Sequence, residues 1–327
     1  MLKITAPSTL ISSIPAVLGF RPEKSLVVVT VTNGTLGAVM RVDLDALRPE
    51  MVERLAAAAS HHAAHGAFVV VVDPNGEDRS HVQLIDGLVE ALIIRGVSMM
   101  GAYVVEDITA GARWHCPDGC GFAGTLDDPA AGVLAASAVL NGRRLCRNLS
   151  ELQSLVAQDA NEVERVGAAL RDASAMTDPR ESVESAIAAA RSLAEGRAPS
   201  DDELASVAVA LLDKQVRDML LAFVLTDDRR AAEDFWAMLA RSLPAPWRVE
   251  ALTLVATYAF ARGDGVFAGI ALDAALKDDA SHCLAAMLGT ALETGMQPAS
   301  IRALAEVGYR LARERGVDLP EQVEHTA

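Results

Sequence analysis

The stretch Ser25-Leu-Val-Val-Val-Thr-Val-Thr32 decides the fold class of this 327-residue chain. Most of its residues are β-branched, and such side chains favour the extended backbone of a strand. Asn33-Gly34 follows directly, and both residue types tolerate the positive φ angles of a two-residue hairpin turn. A return strand is therefore predicted over residues 36–45, so the chain opens its sheet with a β-hairpin.

Strand and helix patterns alternate on both sides of this hairpin. Residues 7–18 predict a helix, which we expect Pro15 to kink or end. The run Phe68–Val72 is apolar at every position, which is typical of a strand covered on both faces. The other predicted elements are helices at 49–65 and 81–95 and a strand at 99–106. The sequence thus predicts an α/β N-terminal domain over residues 1–145, with helices packed on a mixed sheet.

Helical patterns replace strand patterns after an irregular segment at residues 108–128. Asp178-Pro-Arg-Glu181 combines a capping residue, a proline and an acid in a first turn, and Ser200 with Glu203 matches a capping box. The predicted helices span residues 130–141, 149–173, 179–195, 201–225, 228–242, 247–262, 265–277, 281–294 and 298–315. We therefore expect an all-α helical array over residues 146–327.

The net charge of −15 is unevenly distributed along the chain. Residues 1–150 contain 12 basic and 15 acidic residues, or −3, which leaves 17 basic and 29 acidic residues, or −12, for residues 151–327. An acidic surface repels a phosphate backbone, so the composition argues against a nucleic-acid partner.

Cysteine content and hydropathy indicate the compartment. Four cysteines are too few for a disulfide scaffold in a chain of this length. The N-terminus lacks the pattern of a signal peptide, and no run of 18 apolar residues predicts a membrane span. We expect a cytoplasmic protein without a membrane partner.

One segment of the helical half resembles a tetratricopeptide hairpin. Residues 251–277 place small residues such as Ala261, Gly263, Ala268 and Ala271 around a Gly-Asp turn, where two helices can approach closely. The resemblance covers about one repeat, and a peptide-binding groove needs several stacked repeats. Plain antiparallel packing of two helices remains the alternative. Ala-rich helices with small-residue faces often pair, so a protein partner or self-association, as in a homodimer, is expected.

A further resemblance covers nearly the whole chain. It rests on pieces that match in the same order: residues 15–29, Arg41-Val-Asp43, Asp107, Arg113-Trp114, Cys116, Cys120, Val216-Arg-Asp218 and residues 252–275. With these pieces the chain resembles the DUF4192 family, an actinobacterial domain of unknown function. The cysteine segment departs from the family pattern, in which a further cysteine and more prolines are expected. The resemblance implies a shared fold and supplies no activity.

Charged side chains at strand ends form the first candidate site. Open α/β sheets bind ligands at the carboxyl ends of their strands. Paired acids with arginines would suit a small polar ligand or metal-assisted chemistry. Asp73 alone is also explained by turn chemistry, and Asp107 and Arg113 by a structural ion pair. The candidate ligand-binding residues are Arg41, Asp43, Asp73, Asp107 and Arg113.

The segment Arg113-Trp-His-Cys-Pro-Asp-Gly-Cys120 supplies the second candidate site. Thiolate and imidazole groups suit zinc, so His115, Cys116 and Cys120 are candidate ligands, with Cys146 as a fourth. A disulfide or redox pair, or two ordinary thiols in a glycine-rich loop, are the alternatives. Cys283 lies on an apolar helical face and is expected in the core.

These observations leave three functions open. The sequence contains no phosphate-binding loop, nucleophile elbow or kinase signature, so whether the chain is an enzyme stays undecided. Zinc is the one cofactor candidate. The first hypothesis is a non-enzymatic binding or scaffold protein that acts through protein–protein contacts. The alternative is a small-ligand sensor or enzyme with its site at the carboxyl edge of the sheet. A zinc-stabilised adaptor is the third.

Overall fold

The computed structural model describes residues 6–32, 34–61, 64–75, 80–140, 142–174 and 178–323. The chain separates into two compact units, of which the first contains residues 1–152 with 293–295 and the second contains residues 153–292 with 296–327. The boundary predicted after residue 145 lies a few residues before this division.

The first unit is built on a mixed sheet, as predicted, and this sheet has six strands. The strands are β1 (Ser25–Thr32), β2 (Thr35–Asp43), β3 (Gly66–Val72), β4 (Ser98–Val105), β5 (Arg113–His115) and β6 (Ala123–Thr125). Their order across the sheet is β2-β1-β3-β4-β5-β6. Among the described strands β3 and β4 are parallel, and every other neighbouring pair is antiparallel.

The segment at residues 108–128 is not irregular throughout, contrary to the prediction. It contains β5 and β6, which form a hairpin that extends the sheet beyond β4. Three residues per strand are too few to produce a detectable alternation of polar and apolar positions. The hairpin is held by its ladder and by the buried Trp114 rather than by local strand propensity.

Five described helices lie between residues 7 and 154. They are α1 (Pro7–Leu18), α2 (Pro49–His61), α3 (Ser80–Ile94), α4 (Val133–Leu140) and α5 (Leu149–Ser154). One buried cluster joins α2 and α3 to a face of the sheet and includes Leu55, Leu88, Val28 and Val69. Strand β3 is apolar because both its faces are buried, which confirms the prediction for residues 68–72.

Helix α1 does not end at Pro15. It continues to Leu18, and Gly19 then stops it with a φ of 80° while its N–H donates to the Pro15 carbonyl at 2.9 Å. Only glycine adopts this left-handed conformation without strain, so Gly19, and not Pro15, sets the end of the helix.

The second unit is predominantly helical. Its helices are α6 (Ala160–Leu170), α7 (Pro179–Ala194), α8 (Asp201–Leu211), α9 (Lys214–Leu221), α10 (Arg229–Ser242), α11 (Trp247–Ala261), α12 (Gly265–Asp278), α13 (Cys283–Glu293) and α14 (Pro298–Glu314). Two predicted long helices are each divided. Asp159 and Asp213 cause the breaks, because their carboxylates accept N–H groups two residues ahead and restart the helix. No helix in the described ranges is both long and apolar enough to cross a membrane.

A buried ionic network joins three parts of the helical unit. Glu250 on α11 accepts from the Arg217 guanidinium of α9 at 3.1 Å. Its other oxygen lies 3.2 Å from Nε2 of His282, the residue that precedes α13. Burial alone raises the pKa of Glu250, but the His282 hydrogen bond and the Arg217 charge outweigh it and lower the pKa. The carboxylate is therefore stabilised in its ionised form.

Candidate functional site

The five predicted ligand-binding residues lie along one edge of the sheet. In the strand register Asp43 is opposite Ser25, Ser25 is opposite Val72, and Val72 is opposite Val105. Asp73 and Asp107 therefore follow neighbouring strand ends, and Arg41 and Asp43 close the same edge on β2. Arg113 begins β5 beside the end of β4.

Arg41, Asp43 and Asp73 each have a hydrogen-bond or ion-pair partner at this edge. Arg41 donates from Nε to Ser25 Oγ at 2.8 Å and forms an ion pair with Asp43. The Asp73 carboxylate accepts the Asn75 N–H at 2.9 Å, which is the turn chemistry considered for it. These hydrogen bonds and this ion pair give the three side chains structural roles.

Asp107 pairs with Arg21 rather than with Arg113. The Arg21 guanidinium lies 3.4 Å from one Asp107 oxygen, and the other oxygen accepts the Ile108 N–H at 2.7 Å. Arg21 was not among the predicted residues. Its position just before β1 is the signal, since β1 starts at the edge where β3 and β4 end.

A second group lies at the tip of the β5–β6 hairpin. The Sγ atoms of Cys116 and Cys120 and a carboxylate oxygen of Asp118 lie within 4.8 Å of one another. The Cys116 N–H donates to the Phe122 carbonyl at 2.8 Å, and the Cys120 N–H donates to Asp118 at 2.9 Å. The loop thus turns its three soft or anionic groups toward one another.

Electrostatics at the hairpin tip follow from these hydrogen bonds. Burial raises the pKa of the Cys116 thiol to about 11, and a hydrogen bond to Asp118 adds to the effect. The Cys120 thiol and N–H donate to Asp118, and with the Cys116 thiol they lower the pKa of that carboxyl to about 2. The Cys116 thiol is therefore protonated beside an ionised Asp118 carboxylate.

Trp114 anchors the hairpin to the sheet. Its side chain is 5% exposed and makes edge contacts with Tyr103 at 5.4 Å and with Phe122 at 5.2 Å between ring centroids. A Cβ on Gly124 would lie 2.9 Å from the indole ring, so glycine is required opposite Trp114. The strand that leads into the loop is therefore packed against its neighbours through Trp114.

The other cysteine and histidine candidates lie outside this group. Cys146 is beside the end of α1, where its N–H donates to the Gly19 carbonyl at 2.7 Å. His115 is the last residue of β5, opposite Val104 and Ala123. Asp118 was missed by sequence reasoning, although the alternate spacing 116, 118, 120 was visible. Cys283, expected in the core, is exposed.

Helix α4 presents an apolar stripe to solvent. The side chains of Val133 and Leu140 are 75% and 87% exposed, and Ala136 and Val139 between them are also exposed. The helix has no charged residue. Apolar side chains at this spacing normally face a core, whereas these side chains face solvent.

A hollow of about 310 Å³ lies beside this stripe, between α1 and α4. Its walls include Ser12 and Ser13 of α1, the loop residue Asp128, and Val133 of α4. Val133 therefore belongs to both the hollow and the stripe, and the two features form one continuous surface.

The fold and sites define a class of protein: an α/β unit with a mixed sheet and a helical unit, carrying polar clusters but no recognised catalytic motif. A family model described as a domain of unknown function (DUF4192) matches residues 7–299. The chain belongs to this family. No curated protein and no solved structure gave a significant match.

Proposed function

We propose that this chain is a non-enzymatic binding protein that acts through protein–protein contacts, and that α4 is its contact surface for a second copy of itself. The observation that carries the proposal is the uncharged, exposed stripe of α4. Two chains that each carry a net charge of −15 repel one another, so a contact between copies is favoured where no charge lies.

The order of side chains along the stripe supports a two-fold contact. Large residues, Val133 and Leu140, lie at the two ends, and the small Ala136 lies near the middle. Two antiparallel α4 helices would place Val133 of each copy opposite Leu140 of the other. The small central residue lets the two helices approach closely, which an isologous dimer contact requires.

The hollow supplies a receptor for Leu140. In the antiparallel arrangement Leu140 of one copy lies over Val133 of the other, and Val133 lines the hollow. Leu140 is the most exposed large apolar side chain of the described residues. Burying a leucine side chain contributes about 2 kcal/mol, so this insertion makes Leu140 the expected energetic centre of the contact.

The size of α4 sets the expected strength. Eight residues of helix extend about 12 Å, and a stable specific interface buries about 800 Å² on each partner. One helix pair with the adjoining hollow supplies less than this area. We therefore expect a dimer whose population rises with protein concentration.

A small-ligand site at the sheet edge has less support, because four of its five candidate residues already form ion pairs or accept backbone N–H groups. These are Arg41, Asp43, Asp73 and Asp107. The proposed location is the cytoplasm. It is supported by the low cysteine content and by four cysteines in the free thiol form.

Sedimentation velocity across a protein dilution series tests the contact. Leu140→Ala removes the inserted side chain, and we expect the dimer dissociation constant to rise by about tenfold or more. Ile94→Ala is the matched control, because Ile94 is 73% exposed on α3 of the same unit. It should leave the dissociation constant unchanged.

Cross-linking tests the symmetry of the contact. Ala136→Cys should form an intermolecular disulfide with its own copy under mild oxidation, because Ala136 lies next to the proposed two-fold axis. The wild-type chain, which already has four cysteines, is the control. A monomer at every concentration, or a dimer that Ile94→Ala disrupts and Leu140→Ala does not, would overturn the proposal.

A further inference from the structure

We propose that the tip of the β5–β6 hairpin binds one zinc ion through Cys116, Asp118 and Cys120. Two thiolates and one carboxylate are ligand types that zinc accepts readily. The inference is independent of the α4 contact, because it rests on a different part of the first unit and on different side chains.

The three ligating atoms are already close to the spacing that zinc imposes. They lie within 4.8 Å of one another. Zinc–sulfur distances of about 2.3 Å place two sulfur ligands of a tetrahedral ion about 3.8 Å apart. Binding therefore needs only a contraction of about 1 Å, which side-chain rotation in an exposed loop can supply.

The loop conformation explains how three alternate residues come to face one point. The Cys116 N–H bond to the Phe122 carbonyl closes the loop at its base. Gly119 and Gly121 have φ angles of 76° and 81°, a left-handed conformation that turns the chain tightly. A Cβ at either glycine would meet no atom within 4 Å, so these glycines serve the backbone conformation and not packing.

The base of the hairpin is preorganised. Cys116 comes two residues after the buried Trp114, which packs between Tyr103 and Phe122. The first ligand is thus fixed to the sheet, whereas Asp118 and Cys120 lie on the exposed tip. A fixed first ligand reduces the entropy lost when the metal orders the remaining two.

The ligand set favours zinc over magnesium and calcium, because thiolates are soft donors and those two ions prefer oxygen. Binding releases the two thiol protons to solvent as the zinc–sulfur bonds form. Three protein ligands leave the fourth position of a tetrahedral ion for water or for a group from another molecule.

Cobalt and zinc titrations of the reduced full-length chain test the site. We expect one cobalt ion per chain with thiolate-to-cobalt charge-transfer bands, displaced by one equivalent of zinc. Cys116→Ser and Cys120→Ser should abolish these bands. Asp118→Asn should weaken zinc binding by about tenfold or more, because a neutral amide is a poorer ligand than a carboxylate. Circular dichroism checks that each variant is folded.

Three variants serve as matched controls. Cys146→Ser, Cys283→Ser and His115→Ala should keep both the stoichiometry and the bands. Absence of the bands in the reduced wild-type chain would overturn the proposal, and so would bands that survive Cys116→Ser. A Cys116–Cys120 disulfide by mass spectrometry, with no metal uptake after its reduction, would instead assign the pair to redox chemistry.

Discussion

Gly308 of α14 lies against the C-terminal part of α9 and the residue that follows it. A Cβ built on this residue would be 2.5 Å from the Asp218 carbonyl oxygen and 3.0 Å from the Ala222 Cβ. The nearest atoms belong to backbone and to a short side chain, so neither can move aside. The absence of a side chain at this position is therefore what permits the approach of the two elements.

Gly308→Ala should lower the free energy of unfolding by about 1–3 kcal/mol, because the added methyl overpacks the contact. Gly167→Ala is the matched control, since a methyl group added to Gly167 on α6 would meet no atom within 4 Å. There alanine should stabilise the chain by about 0.5–1 kcal/mol. Urea unfolding of both variants measures the difference, and equal effects would show that packing at Gly308 is unimportant.

For single residues, the sequence predicted which side chains belong to a site better than it predicted which residues they contact. Cys116 and Cys120 were chosen for their chemistry, and they do lie together. Asp118 was missed because an Asp-Gly pair reads equally well as a turn. Arg21 was missed because its pairing with Asp107 joins distant parts of the chain. Spacing along a chain reports such contacts only when the strand register is known.

The predictability of elements depended on their length. The predicted bounds of β1, β3 and α7 agree closely with the observed ones. The two strands have long apolar runs, and the helix has a clear capping residue. Strands β5 and β6 were missed because each has three residues and depends on the β4 edge for pairing. Helices α8 and α9 were predicted as one, because the apolar periodicity continues through the Asp213 cap.

The Glu250 network ties α9 and α11 to the start of α13 and should make stability depend on pH. The pKa of Glu250 is lowered below its usual 4.5 in the folded chain. Its ionisation therefore stabilises the fold above pH 4.5, and this contribution is lost as the pH falls through the lowered folded-state pKa. Glu250→Gln should cost about 1–3 kcal/mol at pH 7, because Arg217 keeps its ion pair with Asp218 but loses the more deeply buried of its two carboxylate partners.

The penalty for Glu250→Gln should shrink as the pH is lowered from 7 to well below 4.5, since wild-type Glu250 becomes protonated as the pH passes its lowered folded-state pKa. Urea unfolding of both chains across this range measures the difference. Ser200→Ala, which removes an exposed cap at α8, is a control that should cost about 1 kcal/mol at pH 7. A Glu250→Gln penalty independent of pH would contradict the assigned ionisation.

At the scale of the whole molecule, the net charge of −15 acts against association. The proposed α4 contact is uncharged, so salt should screen the repulsion without weakening the contact itself. We expect the dimer dissociation constant to fall as sodium chloride is raised from about 20 to 300 mM, where the screening length drops below about 10 Å. Sedimentation at fixed protein concentration measures this, and dissociation by salt would indicate an ionic contact instead.

The pattern of apolar residues predicted the two kinds of architecture, a mixed sheet with helices followed by helices alone. The period of this pattern changes from two residues in the strands to between three and four in the helices. The same pattern could not predict the exposed stripe of α4. The same Val, Ala and Leu residues would read as a core face, and only the position of α1 on one side of the helix shows which face is left uncovered.

The placement of all six strands between Ser25 and Thr125 has a consequence for biosynthesis. Every hydrogen-bonding partner in the sheet has been translated before the first residue of α6, Ala160, is added to the chain. The ribosome therefore delivers a complete set of strands while the acidic helices are still being made. Because N-terminal domains fold first during synthesis, the sheet can form before the described helices of the second unit emerge.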